Sequence, residues 1–218
     1  MDKVNNKTLF SSPQVDRLLF LFLLRLLALF LKRERVCHIA LAGGKTPIEL
    51  YRMLSSQRLP WDRLRFYLSD ERYVPLSSEL SNYRVVREAI GNRGRLAFFK
   101  TEMPPEECAM DYSLQLPDRL HIALLGVGAD GHTASLFPGV ECQDVSPKVC
   151  ISRSPDGLLR LSLKEEYLNE SCVLIFFLKG EEKRQALEAI LKGKNIPASK
   201  VAGKLKSYIF TDIAYSLK

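Results

Sequence analysis

Ile122-Ala123-Leu124-Leu125 runs directly into Gly126-Val127-Gly128-Ala129-Asp130-Gly131-His132-Thr133-Ala134-Ser135-Leu136-Phe137-Pro138-Gly139. An unbroken apolar run that ends in glycines reads as a strand covered on both faces and closed by a turn. The turn holds a formal G-x-G-x-x-G at Gly126, Gly128 and Gly131. A dinucleotide fingerprint would continue into an uninterrupted helix, then an acid closing a second strand about 20 residues on. Here Pro138-Gly139 stops a helix within two turns, and Glu141 and Asp144 sit in loop-like sequence, so that reading fails. What stands out instead is Asp130 two residues before His132, on a turn whose backbone amides are free to point inward. Imidazole titrates near neutral pH, which makes His132 the best candidate general base, a role typically contributing about 10²- to 10⁴-fold. His38 lies inside a predicted strand and His121 just before one, so both are expected to satisfy local polar contacts. Three scattered histidines predict no metal site.

Working outward, further strands are expected at Val36–Leu41, Leu64–Ser69, Cys172–Leu178 and Ser207–Thr211. Helices are expected at Pro47–Ser55, Asn82–Ile90, Glu106–Leu116 and Glu181–Lys192. Apolar runs alternating with amphipathic stretches predict an α/β fold: an open, mostly parallel Rossmann-like sheet with helices on both faces. At 218 residues, with neither repeats nor a low-complexity linker, one domain spanning residues 1–218 is expected.

Two other segments fall just beyond predicted strands, where sites gather in such sheets. Leu41-Ala42-Gly43-Gly44-Lys45-Thr46-Pro47 has the layout of a phosphate cradle, in which glycines admit an anion to backbone N–H groups at a helix start and Lys45 adds charge. It is not a Walker A loop, whose first glycine would fall at Ile39, and a plain tight turn before a helix with Thr46 and Pro47 in its first positions is the competing reading. Asp70-Glu71-Arg72-Tyr73-Val74-Pro75, followed by Ser81-Asn82-Tyr83, places Asp70 and Arg72 on one side of an extended chain, either as a pair that orients a catalytic group or as a solvated salt bridge.

The composition narrows the class. With 46% hydrophobic and 26% charged residues, the chain is neither disordered, collagen-like nor a coiled coil. The formal charge of +7 raises a nucleic-acid reading, but the Lys192–Lys206 basic stretch lacks interleaved aromatics, so no nucleic-acid partner is expected and steering of a small anion fits equally. Five scattered cysteines without a C-x-x-C suggest neither a disulfide framework nor a zinc site and suit a reducing cytoplasm. Leu18–Leu31 is apolar except for Arg25, too short and too charged to span a bilayer, and reads as a buried helix capped by Ser11-Ser12-Pro13. Because it is apolar on nearly every face, a partner surface or weak membrane contact stays open.

Taken together in order and spacing, Leu41–Pro47, Asp70–Pro75 with Ser81-Asn82-Tyr83, and Leu125–Gly139 resemble the glucosamine-6-phosphate isomerase/6-phosphogluconolactonase family, from about Val36 to Ala214. Arg160, Gly180-Glu181-Glu182-Lys183 and Asp212-Ile213-Ala214 also match. Within the family the chain is similar to the lactonases: the deaminase branch resembles G-x-D-G-H-I-A-F-N-E-P where this chain has Thr133–Pro138, and it usually lacks an arginine like Arg72. The resemblance implies hydrolysis of 6-phosphogluconolactone to 6-phosphogluconate in the oxidative pentose phosphate pathway, with no metal or cofactor. His132 then activates water, Asp130 or Asp70 fixes its tautomer, and Arg72 holds those carboxylates or the developing oxyanion. The phosphate would lie on Gly43, Gly44, Lys45 and Thr46, with Arg160 and Lys183 as further cationic contacts. Ser135 lacks the G-x-S-x-G elbow, so attack by water is preferred to a covalent route. The chain departs from the pattern at its barely recognisable first strand Thr8-Leu9-Phe10, at Tyr208 or Phe210 where tryptophan is frequent, and at Lys45. The expected partner is a phosphorylated sugar lactone, with no integral membrane association and a monomeric or weakly dimeric state. A glucosamine-6-phosphate isomerase/deaminase and a noncatalytic sugar-phosphate sensor are the alternatives.

Overall fold

Six successive buried side chains, Val173–Leu178, lie in the middle of the structure. Since neighbours along a strand point to opposite faces, this run requires cover on both sides of the sheet. The computed structural model describes residues 2–4 and 7–215. In chain order the elements are β1 (Asp2–Val4), β2 (Lys7–Ser11), α1 (Val15–Leu31), β3 (Cys37–Leu41), α2 (Ile48–Ser55), β4 (Leu64–Leu68), β5 (Asp70–Arg72), α3 (Asn82–Ile90) and β6 (Arg95–Ala97). They continue with α4 (Pro105–Gln115), β7 (Ile122–Gly126), β8 (Gln143–Asp144), β9 (Val149–Arg153), β10 (Leu159–Leu163), α5 (Glu165–Asn169), β11 (Val173–Leu178), α6 (Arg184–Leu191), α7 (Pro197–Lys200) and β12 (Lys206–Thr211).

The main sheet has the order β1-β2-β12-β11-β7-β3-β4-β6, and every pairing in it is parallel except β1 with β2. From β3 the chain moves outward to β4 and β6, then returns to β7 on the other side of β3 and continues to β11 and β12. The connections leaving β3 and β7 therefore diverge, and the crevice between them at the strands' carboxyl ends is where such sheets hold ligands. A second, antiparallel sheet, β5-β10-β9-β8, was not expected from the sequence. It brings β5, which follows β4 after one residue, against β10, with Arg72 opposite Arg160 and Asp70 opposite Ser162.

Several local expectations need correction. Ser11-Ser12-Pro13 does not cap α1: the helix begins at Val15, and the Ser12 hydroxyl instead accepts from the Gln14 N–H at 3.1 Å, forming a turn ahead of it. Only Val15, Leu19, Leu23 and Leu27 of α1 are buried, a stripe at four-residue spacing, while Leu21 and Leu29 face outward. Among the described residues no helix is long and apolar enough to cross a membrane. Thr46 and Pro47 precede α2 rather than opening it. The helix expected from Glu181 starts as a 3-10 turn, Glu181–Lys183, and becomes α-helical at Arg184. Cys142 and Cys150 form a disulfide, against the expectation of none, while Cys37, Cys108 and Cys172 are free and buried. An odd cysteine count and an eight-residue separation in loop-like sequence hid the pair.

His38 and His121 satisfy local polar contacts, as expected. His38 at the start of β3 and His121 just before β7 stack at 5.4 Å between ring centroids. His121 Nδ1 accepts from the His38 N–H at 2.9 Å, and His38 Nδ1 lies 2.9 Å from the Tyr67 hydroxyl. Both are structural, at the opposite end of the strands from the glycine-rich turns.

Candidate active site

The turns after β3 and β7, with Asp70 and Arg72 of β5, line a single cavity of about 280 Å³, into which Arg160 of β10 and Lys183 also reach. Gly43, Gly44, Thr46, Asp70, Arg72 and His132 all border it. Lys45 is exposed and does not line it, so of the four residues proposed as a phosphate turn this one stands apart. Asp130 also lies outside the lining, but its Oδ1 is 2.6 Å from His132 Nδ1 and accepts the His132 backbone N–H at 3.1 Å.

The turn that carries His132 is built from within. Gly128 N–H donates to the His132 carbonyl at 2.9 Å, Gly131 N–H to Gly128 O at 3.0 Å, and the Thr133 hydroxyl to Gly126 O at 2.9 Å. A Cβ on Gly128 would fall on the His132 ring and the Asp130 carboxylate, so glycine there is a requirement of close approach. Ala134 takes φ +48°, in the left-handed region that disfavours residues with a Cβ. It is held there by its neighbour: Ser135 N–H donates to the Ser162 hydroxyl at 3.1 Å and Ser135 O accepts from the Ser152 hydroxyl at 2.7 Å. Two strands of the second sheet thus brace the turn that carries His132. Because a carboxylate only accepts, the His132–Asp130 contact fixes the proton on Nδ1 and leaves the Nε2 lone pair free.

Asp70 and Arg72 do not pair, which corrects the sequence-based expectation. The Asp70 carboxylate accepts from the Ser69 and Ser135 hydroxyls at 2.8 and 2.7 Å. Asp130, not Asp70, therefore contacts the imidazole, and Ser135 is buried and committed to Asp70. Arg72 donates to Asn82 Oδ1 and to Leu80 O instead. The sequence had placed Asn82 only at a helix start. Its signal was there, an amide immediately after the capping Ser81, but its partners come from two other segments, β5 and the turn after β3.

Beneath Arg72, the carboxylate of Glu71 is fully buried and accepts from the backbone N–H groups of Arg72, Asn82 and Tyr83 at 2.8, 2.6 and 2.7 Å, and from the Ser81 hydroxyl at 3.1 Å. A carboxylate at the start of α3 meets otherwise unsatisfied N–H groups and the positive end of the helix dipole. Burial raises its pKa from the ordinary carboxylate value, and the three N–H donors oppose that rise.

The cavity's charge is one-sided. Arg72, Arg160 and Lys183 border it, and none forms an ion pair among the described residues, while Asp70 is the acidic side chain in its wall. Arg160 is half-buried, its Nε donating to the Ser154 hydroxyl at 3.3 Å, and burial with Arg72 alongside pushes its pKa below the usual arginine value. Lys183 is positioned by the 3-10 turn after β11, where the Gly180 N–H donates to Asp212 Oδ1 at 2.9 Å. Phe137 and Phe177 supply apolar wall, with the Phe137 ring 4.9 Å from that of His132. Among the described residues no group of three or more His, Cys, Asp or Glu side chains is gathered as a metal site would need. The arrangement gathers an imidazole and three cationic side chains around one cavity.

Residues 15–209 match the family described as glucosamine-6-phosphate isomerases/6-phosphogluconolactonase. The 6-phosphogluconolactonase of Thermotoga maritima is 37% identical over 183 residues, covering 79% of this chain and 82% of that protein. The Treponema pallidum 6-phosphogluconolactonase is 34% identical over 179 residues, covering 73% and 74%. The crystal structure of the Thermotoga maritima 6-phosphogluconolactonase superposes with a TM-score of 0.85 at 33% identity, over 93% of this chain and 97% of that one.

Proposed function

The chain belongs to the family of glucosamine-6-phosphate isomerases and 6-phosphogluconolactonases, and from that premise we propose that it hydrolyses 6-phosphogluconolactone to 6-phosphogluconate with His132 as general base and without a metal. The observation that carries the reading is the conjunction of a histidine with a free Nε2 and three cations lacking carboxylate partners around one cavity. A phosphorylated sugar ester needs that pair of features: a base for water at one end and fixed positive charge for a dianion at the other.

In this reading the phosphoryl group lies against the Gly43, Gly44 and Thr46 turn, with Arg72, Arg160 and Lys183 around it. Arg72 is an anion contact rather than a partner of Asp70, because its guanidinium is held by the Asn82 carboxamide, which itself packs against Gly43. His132 Nε2 takes a proton from water, and the hydroxide formed attacks the lactone carbonyl. The tetrahedral intermediate collapses with cleavage of the bond to the ring oxygen, which receives the proton back from the imidazolium. Asp130 holds the ring in the required tautomer and stabilises the imidazolium through the same 2.6 Å contact. Ser135 takes no covalent part, its hydroxyl being donated to Asp70.

The test is the rate of acid release from freshly prepared 6-phosphogluconolactone, measured against a no-enzyme blank because such esters also open spontaneously. Metal-free protein is expected to exceed the blank, and His132→Ala to lower kcat at least about a hundredfold. Ammonia released from glucosamine 6-phosphate with no lactone turnover would assign the chain to the isomerase/deaminase chemistry. Sugar phosphate raising Tm with neither activity would make it a sensor.

A further inference from the structure

Asn82 joins two of the segments that would meet the phosphoryl group, β5 and the turn after β3. The residue is 2% exposed. Its Oδ1 accepts from Arg72 Nη1, its Nδ2 donates to Asp70 O at 2.9 Å, and its backbone N–H donates to Glu71 Oε1 at 2.6 Å. On its other side, a Cβ on Gly43 would fall on the Asn82 carboxamide, so the turn after β3 rests directly on this side chain. Chemistry settles the amide's orientation: a guanidinium only donates and a backbone carbonyl only accepts, so oxygen faces Arg72 and nitrogen faces Asp70.

We propose that Asn82 is a positioning residue, a neutral clamp that aims the Arg72 guanidinium into the cavity while leaving its charge for the substrate's phosphoryl group. The inference rests on the reading of Arg72 as an anion contact given above. A carboxylate at residue 82 would grip the guanidinium harder, since charge-assisted hydrogen bonds are the stronger kind, but it would cancel the charge that binds the dianion. The two acids nearest in sequence are diverted from Arg72 in the same way. Asp70 is engaged by the Ser69 and Ser135 hydroxyls, and both oxygens of Glu71 are occupied by donors at the start of α3. The local structure satisfies every polar group around Arg72 without neutralising it.

The experiment compares Asn82→Asp, Asn82→Ala, Arg72→Ala and the double variant Asn82→Asp/Arg72→Ala for KM and kcat on the lactone, for the affinity of inorganic phosphate, and for Tm. Aspartate keeps the acceptor that faces Arg72 and loses the Nδ2–H donated to Asp70 O, whereas alanine loses both contacts, so a merely structural role predicts that Asn82→Asp raises KM no more than Asn82→Ala does. The clamp predicts the reverse in KM. Asn82→Asp raises KM and the phosphate Kd about ten- to a hundredfold with kcat within about threefold, the scale of one charged hydrogen bond. Asn82→Ala raises KM by less, because Arg72 stays charged, and Asn82→Asp adds less than about twofold in the Arg72→Ala background. If Arg72→Ala raises KM but Asn82→Asp leaves it unchanged, or acts equally without Arg72, the clamp is wrong and the anion-contact reading stands. If Arg72→Ala leaves KM unchanged, both fall. Should Asn82→Asp fail to fold, the Asn82→Ala effect on KM and its disappearance in the Arg72→Ala background decide the matter.

Discussion

Arg72 and Arg160 stand opposite one another across the antiparallel β5–β10 pair, both bordering the cavity and neither ion-paired among the described residues. Like charges directly opposite in a sheet are unfavourable, and an anion between them removes the cost. Arg160→Ala is therefore expected to leave the ligand-free Tm within about 2 °C of the parent. It should also raise KM for the lactone about tenfold and shrink the rise in Tm given by inorganic phosphate. Thermal unfolding with and without phosphate, together with initial rates, checks both halves.

Gly128 tests whether the imidazole's placement matters. Gly128→Ala puts a methyl group where the His132 ring and Asp130 carboxylate lie. A displacement of about 1 Å in a catalytic group costs about a hundredfold, while overpacking typically costs about 1–3 kcal/mol of stability. The expected outcome is a folded protein by circular dichroism with kcat down about a hundredfold and KM little changed.

Glu71 sits under the site without entering it. Glu71→Ala strips three backbone N–H groups and the Ser81 hydroxyl of their acceptor at a buried helix start. Each orphaned donor costs about 1–3 kcal/mol, so a loss of about 3 kcal/mol or more is expected, seen as a lowered urea midpoint. The helix start that carries Asn82 loosens with it, so lactone KM rises in whatever protein remains folded.

The His38–His121 pair makes stability depend on pH. Burial lowers both pKa values below 6.5, with His121 and Arg65 adding to the fall at His38, Arg119 adding at His121, and Glu34 opposing at each. The geometry agrees, because protonating His121 Nδ1 would destroy the acceptor for the His38 N–H. With folded values below the unfolded one, the unfolded chain binds protons more readily, so stability is full above about pH 6.5 and is lost as pH falls through the folded values. Tm measured from pH 7.5 downward should decline below 6.5, and the decline should be smaller in His121→Gln.

Much of this was legible in the sequence, for identifiable reasons. The apolar runs of β3, β4, β7, β11 and β12 announce strands, and the helix expected at Asn82–Ile90 has those bounds in α3. The antiparallel sheet escaped notice because β5 reads Asp-Glu-Arg and β10 mixes Arg160 and Ser162 among leucines, so neither shows an unbroken apolar signal. Asp70 finding Ser135, 65 residues away, is likewise a product of packing and leaves no local trace. The buried side of α1 was hidden for the opposite reason: with nearly every position apolar, periodicity has nothing to contrast.

The divergence of the chain at β3 and β7 has a bearing on how the molecule comes into being. Gly43, Arg72, His132, Arg160 and Lys183 are supplied by successive portions of the polypeptide, on either side of that divergence and from two different sheets. No contiguous fragment shorter than about two thirds of the chain contains them all. On the proposed reading, affinity for an anion is thus a property of the assembled whole, acquired only when the last contributor, beyond β11, has docked, and a nascent or partly unravelled chain would have nothing with which to hold its ligand.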